Sequence, residues 1–332
     1  MGSDHKESPV CVTGANGFIG SWVVRTLLES GYARIHASIY PGSDASHLFH
    51  LPGANNNPDR LKIFEADLLD PPALSTAVAG CRGLFHIASP CSLEDPADPD
   101  RDLILPAVQG TLNVLQSAVD SNLSRVVLTS SISALVPNPN WPAGIVFDES
   151  SWTDLDYCKS RKKWYPVSKT LAEKAAWEFA EKNGLDMVAI HPATCLGQLL
   201  QPGLNASSAV LKQLLEGAED TQECHWLGAV HVKDVAMAQV LLYETPAASG
   251  RYLCTNGIYQ FRDFADRVSK LFPEFPVYRF AEETQPGLVA CDGAAKRLID
   301  LGLEFTPVED AVRETVKSLR ARGLVAAEPP QS

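Results

Sequence analysis

The chain has 332 residues, and its 45% hydrophobic and 20% charged residues are typical of a globular protein with a buried core. This length predicts one large domain or two modest ones. The net charge of −12 and the lack of any basic stripe argue against nucleic acid and anionic membranes as partners.

Cysteine spacing and the N-terminal residues bear on the compartment. Eight cysteines are scattered without a C-x-x-C pair or zinc-like spacing, so we expect free thiols in a reducing compartment and no metal site. Residues 1–8 are polar and lack the apolar core of a signal peptide, and no apolar run is long enough to span a membrane. The sequence therefore predicts a cytoplasmic protein without membrane association.

A short apolar strand at residues 10–13 runs directly into a glycine turn. Gly14, Gly17 and Gly20 are spaced three apart, and an amphipathic helix over residues 21–28 follows. In this context the first glycine permits the tight turn, the second lets the backbone approach a pyrophosphate, and the third allows close helix–strand packing. A helix N-terminus also presents free N–H groups and a positive dipole end to phosphates. The segment predicts a dinucleotide-binding site.

The second predicted strand, residues 34–39, bears on how the adenosine ribose is held. An acid at its end binds the 2′-hydroxyl of NAD, whereas an Arg accommodates the 2′-phosphate of NADP. Here Ser38 and Tyr40 stand at the strand end, so these residues leave the choice between NAD and NADP open. A third strand at residues 61–65 precedes Asp67, which could accept the adenine amino group or cap the next helix.

Three more buried strands are predicted at residues 83–88, 125–129 and 186–191, with a long helix over residues 103–121. Strands that alternate with helices at this rhythm form an α/β fold with a doubly wound parallel Rossmann sheet. Its ligand crevice lies at the carboxyl ends of the strands. Ser131 follows the fifth strand and is a candidate donor to a substrate carbonyl.

Tyr165 and Lys169 stand at the start of a predicted helix, because residues 170–182 are rich in helix formers. Their spacing of four places both side chains on one helix face, one turn apart. A phenol titrates near ~10, and a neighbouring ammonium lowers its pKa. The pair can therefore deliver a proton to a carbonyl oxygen, or take one from an alcohol, near neutral pH.

The strand–helix rhythm breaks after residue 192, which predicts a smaller C-terminal lobe interleaved with the first domain. A loop and a helix are expected over residues 198–222, a further helix near His231, and a late strand at residues 250–254. The predicted division is a dinucleotide-binding Rossmann domain at 8–192, to which 229–256 returns, a substrate-binding lobe at 193–228 and 257–325, and a flexible tail at 326–332.

Taken together, these motifs resemble the extended short-chain dehydrogenase/reductases, and within them the plant group of dihydroflavonol reductases and cinnamoyl-CoA reductases. The resemblance covers most of the chain up to about residue 191 and continues more loosely to residue 256. The segments that carry it are residues 10–14, 66–70, 86–90, 109–111, 127–131, 165–169 and 173–177.

This resemblance implies a chemical role for the motif residues. Tyr165 is the expected proton donor, Lys169 binds the nicotinamide ribose and lowers the tyrosine pKa, and Ser131 polarises the substrate carbonyl. A hydride leaves the nicotinamide for the carbonyl carbon while Tyr165 protonates the oxygen. The cofactor-binding residues expected from motif and resemblance together are Gly14, Asn16, Gly17, Phe18, Ile19, Gly20, Ser38, Tyr40, Asp67, Leu68, Ala88, Ser89, Pro90, Thr129, Lys169, Pro192, Ala193, Thr194, Ser207 and Ser208.

Two departures from the family pattern bear on cofactor and substrate. The family usually carries an Arg at the position of Tyr40 and a Lys soon after it to hold the 2′-phosphate of NADPH, and this chain has neither. NADP is therefore implied by resemblance, and NAD stays open. Lignin-type cinnamoyl-CoA reductases carry Asn-Trp-Tyr-Cys-Tyr-Gly-Lys where residues 163–169 read Lys-Trp-Tyr-Pro-Val-Ser-Lys. This difference favours an aldehyde or ketone over a CoA thioester.

The expected function is an NAD(P)H-dependent carbonyl reductase for an aromatic, phenylpropanoid-type aldehyde, ketone or CoA thioester, acting as a monomer or homodimer. Trp141, Tyr157, Trp164, Trp226 and residues 195–196 could build an apolar pocket for such a substrate, although core packing is the plainer interpretation of each.

Two alternatives share the motifs. The first is a nucleotide-sugar epimerase or dehydratase. The lack of an acid beside Ser131 disfavours a dehydratase, and Lys212 alone offers a cation to a sugar diphosphate between residues 196 and 228. The second is a regulatory protein that senses NAD(P) without turnover, which the intact Tyr165 and Lys169 pair disfavours.

Overall fold

The structure is a computed structural model that describes residues 4–54, 58–90, 96–217, 226–277, 289 and 291–326. The strands within these ranges are β1 Val10–Thr13, β2 Ile35–Ile39, β3 Leu61–Glu65, β4 Gly83–His86, β5 Arg125–Thr129, β6 Met187–Pro192, β7 Thr194–Leu196, β8 Trp226–His231, β9 Gly250–Cys254, β10 Gly257–Gln260 and β11 Cys291–Asp292. The α-helices are α1 Asp4–Glu7, α2 Phe18–Glu29, α3 Pro71–Val78, α4 Leu105–Asp120, α5 Leu155–Ser160, α6 Trp164–Asn183, α7 Ala206–Leu215, α8 Val232–Glu244, α9 Phe261–Leu271, α10 Lys296–Asp300 and α11 Val308–Ala321.

Seven strands form one parallel sheet in the order β3-β2-β1-β4-β5-β6-β9. Every residue of β1, β4, β5 and β6 is buried, as expected for central parallel strands covered on both faces. From β1 the chain adds β2 and β3 on one side, and then returns to add β4, β5 and β6 on the other side. The strand order therefore reverses between the neighbouring strands β1 and β4. Ligands of such sheets bind there, beyond the carboxyl ends of the strands.

Helices cover both faces of this sheet. α2 and α8 pack together on one face, where Val23, Leu27 and Val235 belong to a shared apolar core. α3, α4 and α6 cover the other face, with Leu115 and Ala176 in a second core. The predicted α/β, doubly wound parallel sheet is confirmed. No helix in the described part of the chain combines the length and apolarity needed to cross a membrane.

A second, four-stranded sheet has the order β11-β10-β8-β7. β7 and β8 are parallel, whereas β10 is antiparallel to both of its neighbours. α7, α9 and α11 supply Leu211, Phe264 and Val312 to the apolar core of this region. The chain returns from it to the large sheet through α8 and β9. The predicted division into a cofactor domain and a substrate lobe is compatible with this path and stays a prediction.

Two element boundaries differ from the sequence predictions. The predicted strand 83–88 ends at His86, because the N–H groups of residues 87 and 88 donate to Thr13 Oγ1. The helix predicted over residues 103–121 is preceded by a π-helical turn at Asp100–Ile104, and α4 begins only at Leu105 with a proline in its first turn. Proline lacks an N–H donor, so it fits the first turn of an α-helix.

Candidate active site

The glycine turn joins β1 to α2. Gly14 has a φ of +64°, a conformation that favours glycine, and a Cβ there would meet Ala88 Cα at 2.9 Å. A Cβ on Gly20 would lie 2.0 Å from Gly14 O, so the helix can approach the turn only without a side chain at Gly20. Gly17 is exposed, and a Cβ there would meet only Gly14 O, at 3.3 Å.

The first turn of α2 presents backbone groups rather than side chains to the crevice. Gly17 is its N-cap and provides no side-chain cap. Phe18 is buried beneath the turn, while Asn16 and Ile19 are half-buried. Uncapped N–H groups at a helix N-terminus, reached over an exposed glycine, fit a dinucleotide pyrophosphate. The three glycines therefore form a turn whose backbone geometry is suited to binding the pyrophosphate of a dinucleotide.

The end of β2 lies beside this turn. Ser38 is buried, whereas Tyr40 is 66% exposed and begins a turn closed by the hydrogen bond from Ser43 N to Tyr40 O at 3.1 Å. Asn16 Nδ2 donates to Ser43 Oγ and to Asp44 O, both at 2.9 Å. Asn16, predicted to bind the cofactor, therefore also fixes the loop that follows β2.

Asp67 follows β3, and the sequence predicts either adenine binding or helix capping for it. Its Oδ1 accepts from Leu69 N at 2.9 Å, and the N-cap of α3 is Asp70, which accepts from Ala73 N. The helix-cap alternative for Asp67 is therefore wrong, because its carboxylate caps the preceding turn. Leu68 packs against Gly110 of α4, where an added Cβ would approach Leu68 Cβ to 2.8 Å.

A buried threonine–histidine pair holds the segment after β4. Thr13 Oγ1 accepts two backbone N–H groups, so its own O–H donates to His86 Nδ1 at 2.8 Å. His86 Nε2 then faces Thr111 Oγ1 at 3.3 Å, which is the bonding of a neutral imidazole. Burial, followed by the nearby Lys169 charge, lowers the pKa of His86 to about 3. The pair keeps half-buried residues 87–90 beside the glycine turn.

The structure brings Lys169 to the carboxyl end of β5. Lys169 is 7% exposed, and its Nζ donates to Thr129 O at 3.1 Å. Tyr165, one turn earlier on α6, is 37% exposed. Ser131 stands two residues after Thr129, is 8% exposed, and accepts a hydrogen bond on Oγ from Ser133 N at 3.1 Å. The buried ammonium of Lys169, the partly exposed phenol of Tyr165 and the hydroxyl of Ser131 therefore lie on neighbouring elements at the carboxyl end of β5.

A buried ionic cluster lies directly behind Lys169. Glu173 is 1% exposed, and its Oε2 accepts from Ser130 Oγ at 2.6 Å and bonds His191 Nε2 at 2.7 Å. Its Oε1 accepts from Arg251 Nε at 2.7 Å and from Trp177 Nε1 at 3.1 Å. Burial alone would raise the pKa of Glu173, but His191 and Arg251 hold it well below its ordinary value. The cluster is therefore anchored by a carboxylate.

This cluster was not predicted from the sequence. In the sequence, Glu173 belongs to one of the segments that carry the family resemblance, and His191 and Arg251 lie in predicted strands. The sequence held one signal for this cluster: Lys169 and Glu173 are four residues apart, and that spacing places both side chains on the same face of α6. Arg251 offered none, since it meets Glu173 across 78 positions of sequence.

The expected nicotinamide end follows β6. Pro192 is the last residue of β6, Ala193 is buried and bonded to β9 through its N–H, and Thr194 is half-buried at the start of β7. Ser207 is half-buried in the first turn of α7, whereas Ser208 is fully buried in the same turn. Of the two serines predicted near the cofactor phosphates, Ser207 is thus the more accessible.

The residues proposed for an aromatic pocket are spread over several elements. Residues 195–196 are buried, so core packing accounts for them. Trp141, Tyr157 and Trp164 are half-buried, and Trp141 Nε1 donates to a backbone carbonyl four residues on. The side chain of Trp226 lies outside the described part of the chain. Within the described ranges, no three His, Cys, Asp or Glu side chains are grouped to hold a metal ion.

A family model described as the NAD dependent epimerase/dehydratase family matches residues 10–255. The match starts at the first residue of β1 and ends one residue after β9, so it covers the glycine turn, Lys169 and the whole large sheet.

Individual proteins give the same result over almost the whole chain. Cinnamoyl-CoA reductase 1 of Petunia hybrida is 44% identical over 317 residues, which cover 95% of this chain and 92% of that protein. The crystal structure of vestitone reductase from alfalfa superposes with a TM-score of 0.81 at 34% identity, covering 96% of this chain and all of that one.

A third solved structure carries a cofactor. Yeast methylglyoxal/isovaleraldehyde reductase complexed with NADPH has a TM-score of 0.81 at 27% identity, with 96% of this chain and all of that chain covered. The predicted family is therefore confirmed. The chain belongs to the NAD dependent epimerase/dehydratase family, the extended short-chain dehydrogenase/reductases, and is an NAD(P)-dependent reductase.

Proposed function

We propose that this protein is an NADPH-dependent carbonyl reductase that acts on an aromatic, phenylpropanoid-type aldehyde, ketone or CoA thioester. One observation carries the proposal: Lys169 is buried against Thr129 O at the end of β5, one helical turn from the partly exposed Tyr165. A buried ammonium beside a phenol stabilises the phenolate, and this is the arrangement that a proton donor to a carbonyl needs.

A bound nicotinamide supplies the hydride, and the side chains of this chain manage the carbonyl oxygen. Tyr165 donates the proton, and Lys169 stabilises the phenolate that remains. Ser131 Oγ accepts a hydrogen bond from Ser133 N, which leaves the hydroxyl proton as the donor for the substrate oxygen in this proposal. Tyr165 lies in the first turn of α6, and Ser131 lies two residues after the end of β5, so neither donor depends on a long loop, which preorganises them.

NADPH is proposed over NADH on two grounds. The family resemblance implies it, and the yeast methylglyoxal/isovaleraldehyde reductase of the same fold is a complex with NADPH. Against it stands the loop after β2, because no Arg or Lys occurs between residues 35 and 59. NADH is therefore the alternative that a titration has to test.

The substrate class is proposed from the names of the relatives and from the residues around Tyr165. The relatives are reductases named for cinnamoyl-CoA and for vestitone. The segment 163–169 favours an aldehyde or ketone within this class. A cytoplasmic location and a monomeric or homodimeric state remain part of the proposal.

Replacing Tyr165 by Phe tests the chemistry. NADPH and NADH are titrated first, and turnover is then measured with aromatic aldehydes, cinnamoyl-CoA esters and a dihydroflavonol. With any substrate that the wild type reduces, we expect Tyr165→Phe to lower kcat by about 10²–10⁴-fold, because the proton donor is lost. The Kd of the cofactor should change little.

Tyr32→Phe is the matched control, since this buried phenol precedes β2, at the opposite end of the strand from the predicted site, and donates to Glu244 Oε1 at 3.1 Å. It should retain nearly full activity. Retained activity in Tyr165→Phe would remove Tyr165 from the mechanism. Tight cofactor binding by the wild type without turnover of any substrate would favour the sensor alternative.

A further inference from the structure

Two bonds, one helical turn apart, pin the end of β5 to the helix that carries Tyr165. Lys169 Nζ donates to Thr129 O at 3.1 Å, and Ser130 Oγ donates to Glu173 Oε2 at 2.6 Å. Lys169, Thr129, Ser130 and Glu173 also line one small cavity. Ser131 is the next residue after this doubly fixed pair, so its position follows from both bonds.

Glu173 is itself fixed from the opposite side. Arg251 Nε and Trp177 Nε1 donate to its second oxygen, at 2.7 and 3.1 Å. The Arg251 guanidinium also donates to the carbonyls of Glu149 and Ser151, at 2.7 and 2.6 Å, and stacks on the Trp152 ring at 3.7 Å from its centroid. Charge-assisted hydrogen bonds of this kind are short and directional. Arg251 is itself held by these contacts, so it fixes the orientation of the carboxylate, and the Trp177 bond only adds to it.

A buried ion pair is a poor way to gain stability, since removing two charges from water costs about as much as their attraction returns. Its value lies in fixing geometry, because a fully bonded polar network rigidifies the elements that it joins. Here the joined elements are α6, the turn after β5, β6 and β9. Two of these four carry the proposed donors, Tyr165 and Ser131.

We propose that Glu173 is a positioning residue, which acts through Ser130 to set the distance between the Ser131 hydroxyl and the Tyr165 phenol. This inference rests on the proposed roles of those two donors. Both must reach one substrate oxygen, and a displacement of about 1 Å in such an arrangement can lower the rate about 10²-fold. Glu173 is 1% exposed, and both of its oxygens already accept hydrogen bonds from other side chains, so the proposed role is indirect.

Ser130→Ala is the decisive variant, because it removes a single hydroxyl and leaves Glu173 bonded to Arg251, His191 and Trp177. We expect kcat to fall about tenfold, while the Kd of NADPH stays within about twofold of the wild-type value. Glu173→Gln should lower kcat at least as much. The double variant should be no worse than Glu173→Gln alone, because both changes break the same link.

Trp177→Phe is the matched control. It removes a hydrogen bond from the same carboxylate, but on the side away from Ser130, so we expect a lower Tm with kcat within about twofold of wild type. All assays are run on the full chain at a temperature where circular dichroism shows each variant folded. Should Glu173→Gln fail to fold, Ser130→Ala and Trp177→Phe decide the question.

The outcomes separate this inference from the proposed function. If Tyr165→Phe is inactive but Ser130→Ala keeps kcat within about threefold of wild type, the positioning role is overturned and the chemistry stands. Equal losses of kcat in Ser130→Ala and Trp177→Phe would also overturn it, because both would then report general destabilisation. If Tyr165→Phe retains activity, the proposed function fails first.

Discussion

His86 illustrates how one buried side chain makes stability depend on pH. Its pKa is lowered from 6.5 to about 3 in the folded protein, first by burial and then by Lys169. Between about pH 3 and pH 6.5, His86 is therefore protonated in the unfolded chain and neutral in the folded protein. The contribution of His86 to stability is therefore fully present above pH 6.5 and is lost as the pH falls.

We expect this single residue to remove about 2 kcal/mol of unfolding free energy between pH 7 and pH 5. Urea unfolding of the wild type and of His86→Asn over this range measures the effect. Asn keeps an acceptor for Thr13 but does not titrate, so its stability should fall less steeply with acid. Parallel curves for the two proteins would show that His86 titrates normally in the fold.

The predictable residues are those whose chemistry is local in sequence. One turn of chain sets the relation of Gly14 to Gly20, and one helical turn sets the relation of Tyr165 to Lys169. Both relations can therefore be predicted from spacing. Three partners of Glu173, namely His191, Ser130 and Arg251, lie 18, 43 and 78 positions away, and nothing in spacing or composition indicates that they meet. Such contacts depend on the order of strands in the sheet, which periodicity does not encode.

At the scale of elements, two glycines at the junction of β1 and α2 have different roles: Gly20 allows close packing, and Gly17 leaves space for the cofactor. A Cβ on Gly20 would lie 2.0 Å from Gly14 O, whereas one on Gly17 would meet that oxygen at 3.3 Å with an ordinary φ of −78°. Gly20→Ala must push the helix away from the turn, so we expect a loss of about 2 kcal/mol of stability as well as weaker cofactor binding.

Gly17→Ala should fold with nearly unchanged stability and still bind the cofactor more weakly, because its methyl group occupies the space that a pyrophosphate approaches. Thermal unfolding and NADPH titration of the two variants measure these effects independently. Unchanged affinity in Gly17→Ala would mean that the phosphates do not pass over this residue.

Element boundaries were less predictable than element types. All six strands predicted in the first 192 residues exist, because buried apolar runs between turn signals are a strong pattern. The early end of β4 could not be predicted, since it depends on a threonine 73 positions earlier in the chain. The π-helical turn before α4 has no signal in spacing at all.

At the scale of the whole molecule, the C-terminal helix reaches back to the connection between β7 and α7. Arg322, at the end of α11, donates to the carbonyls of Leu199, Gln201 and Pro202 at 2.6–2.9 Å. Gly197 N and Leu199 N donate to hydroxyls of the same helix. This connection leads directly to Ser207, so its order bears on the predicted cofactor site.

We expect Arg322→Ala to release this connection locally while the protein remains folded. Chymotrypsin should then cleave after Leu199 or Leu204 several-fold faster than in the wild type. Arg313→Ala is the control, because Arg313 lies on the exposed side of α11 and pairs with Asp310 at 2.7 Å. Equal cleavage of both variants would show that Arg322 does not hold the connection.

The last strand of the large sheet, β9, is synthesised long after its neighbour β6. β9 ends at Cys254, and residues 193–249 are synthesised between it and its neighbour β6. Until β9 emerges, β6 presents an unpaired edge with three fully apolar, otherwise buried residues at 188–190. Such an edge is a template for pairing with other nascent chains. A gene cut after residue 192 would therefore encode an aggregation-prone fragment, and the first 192 residues should not fold as an independent domain.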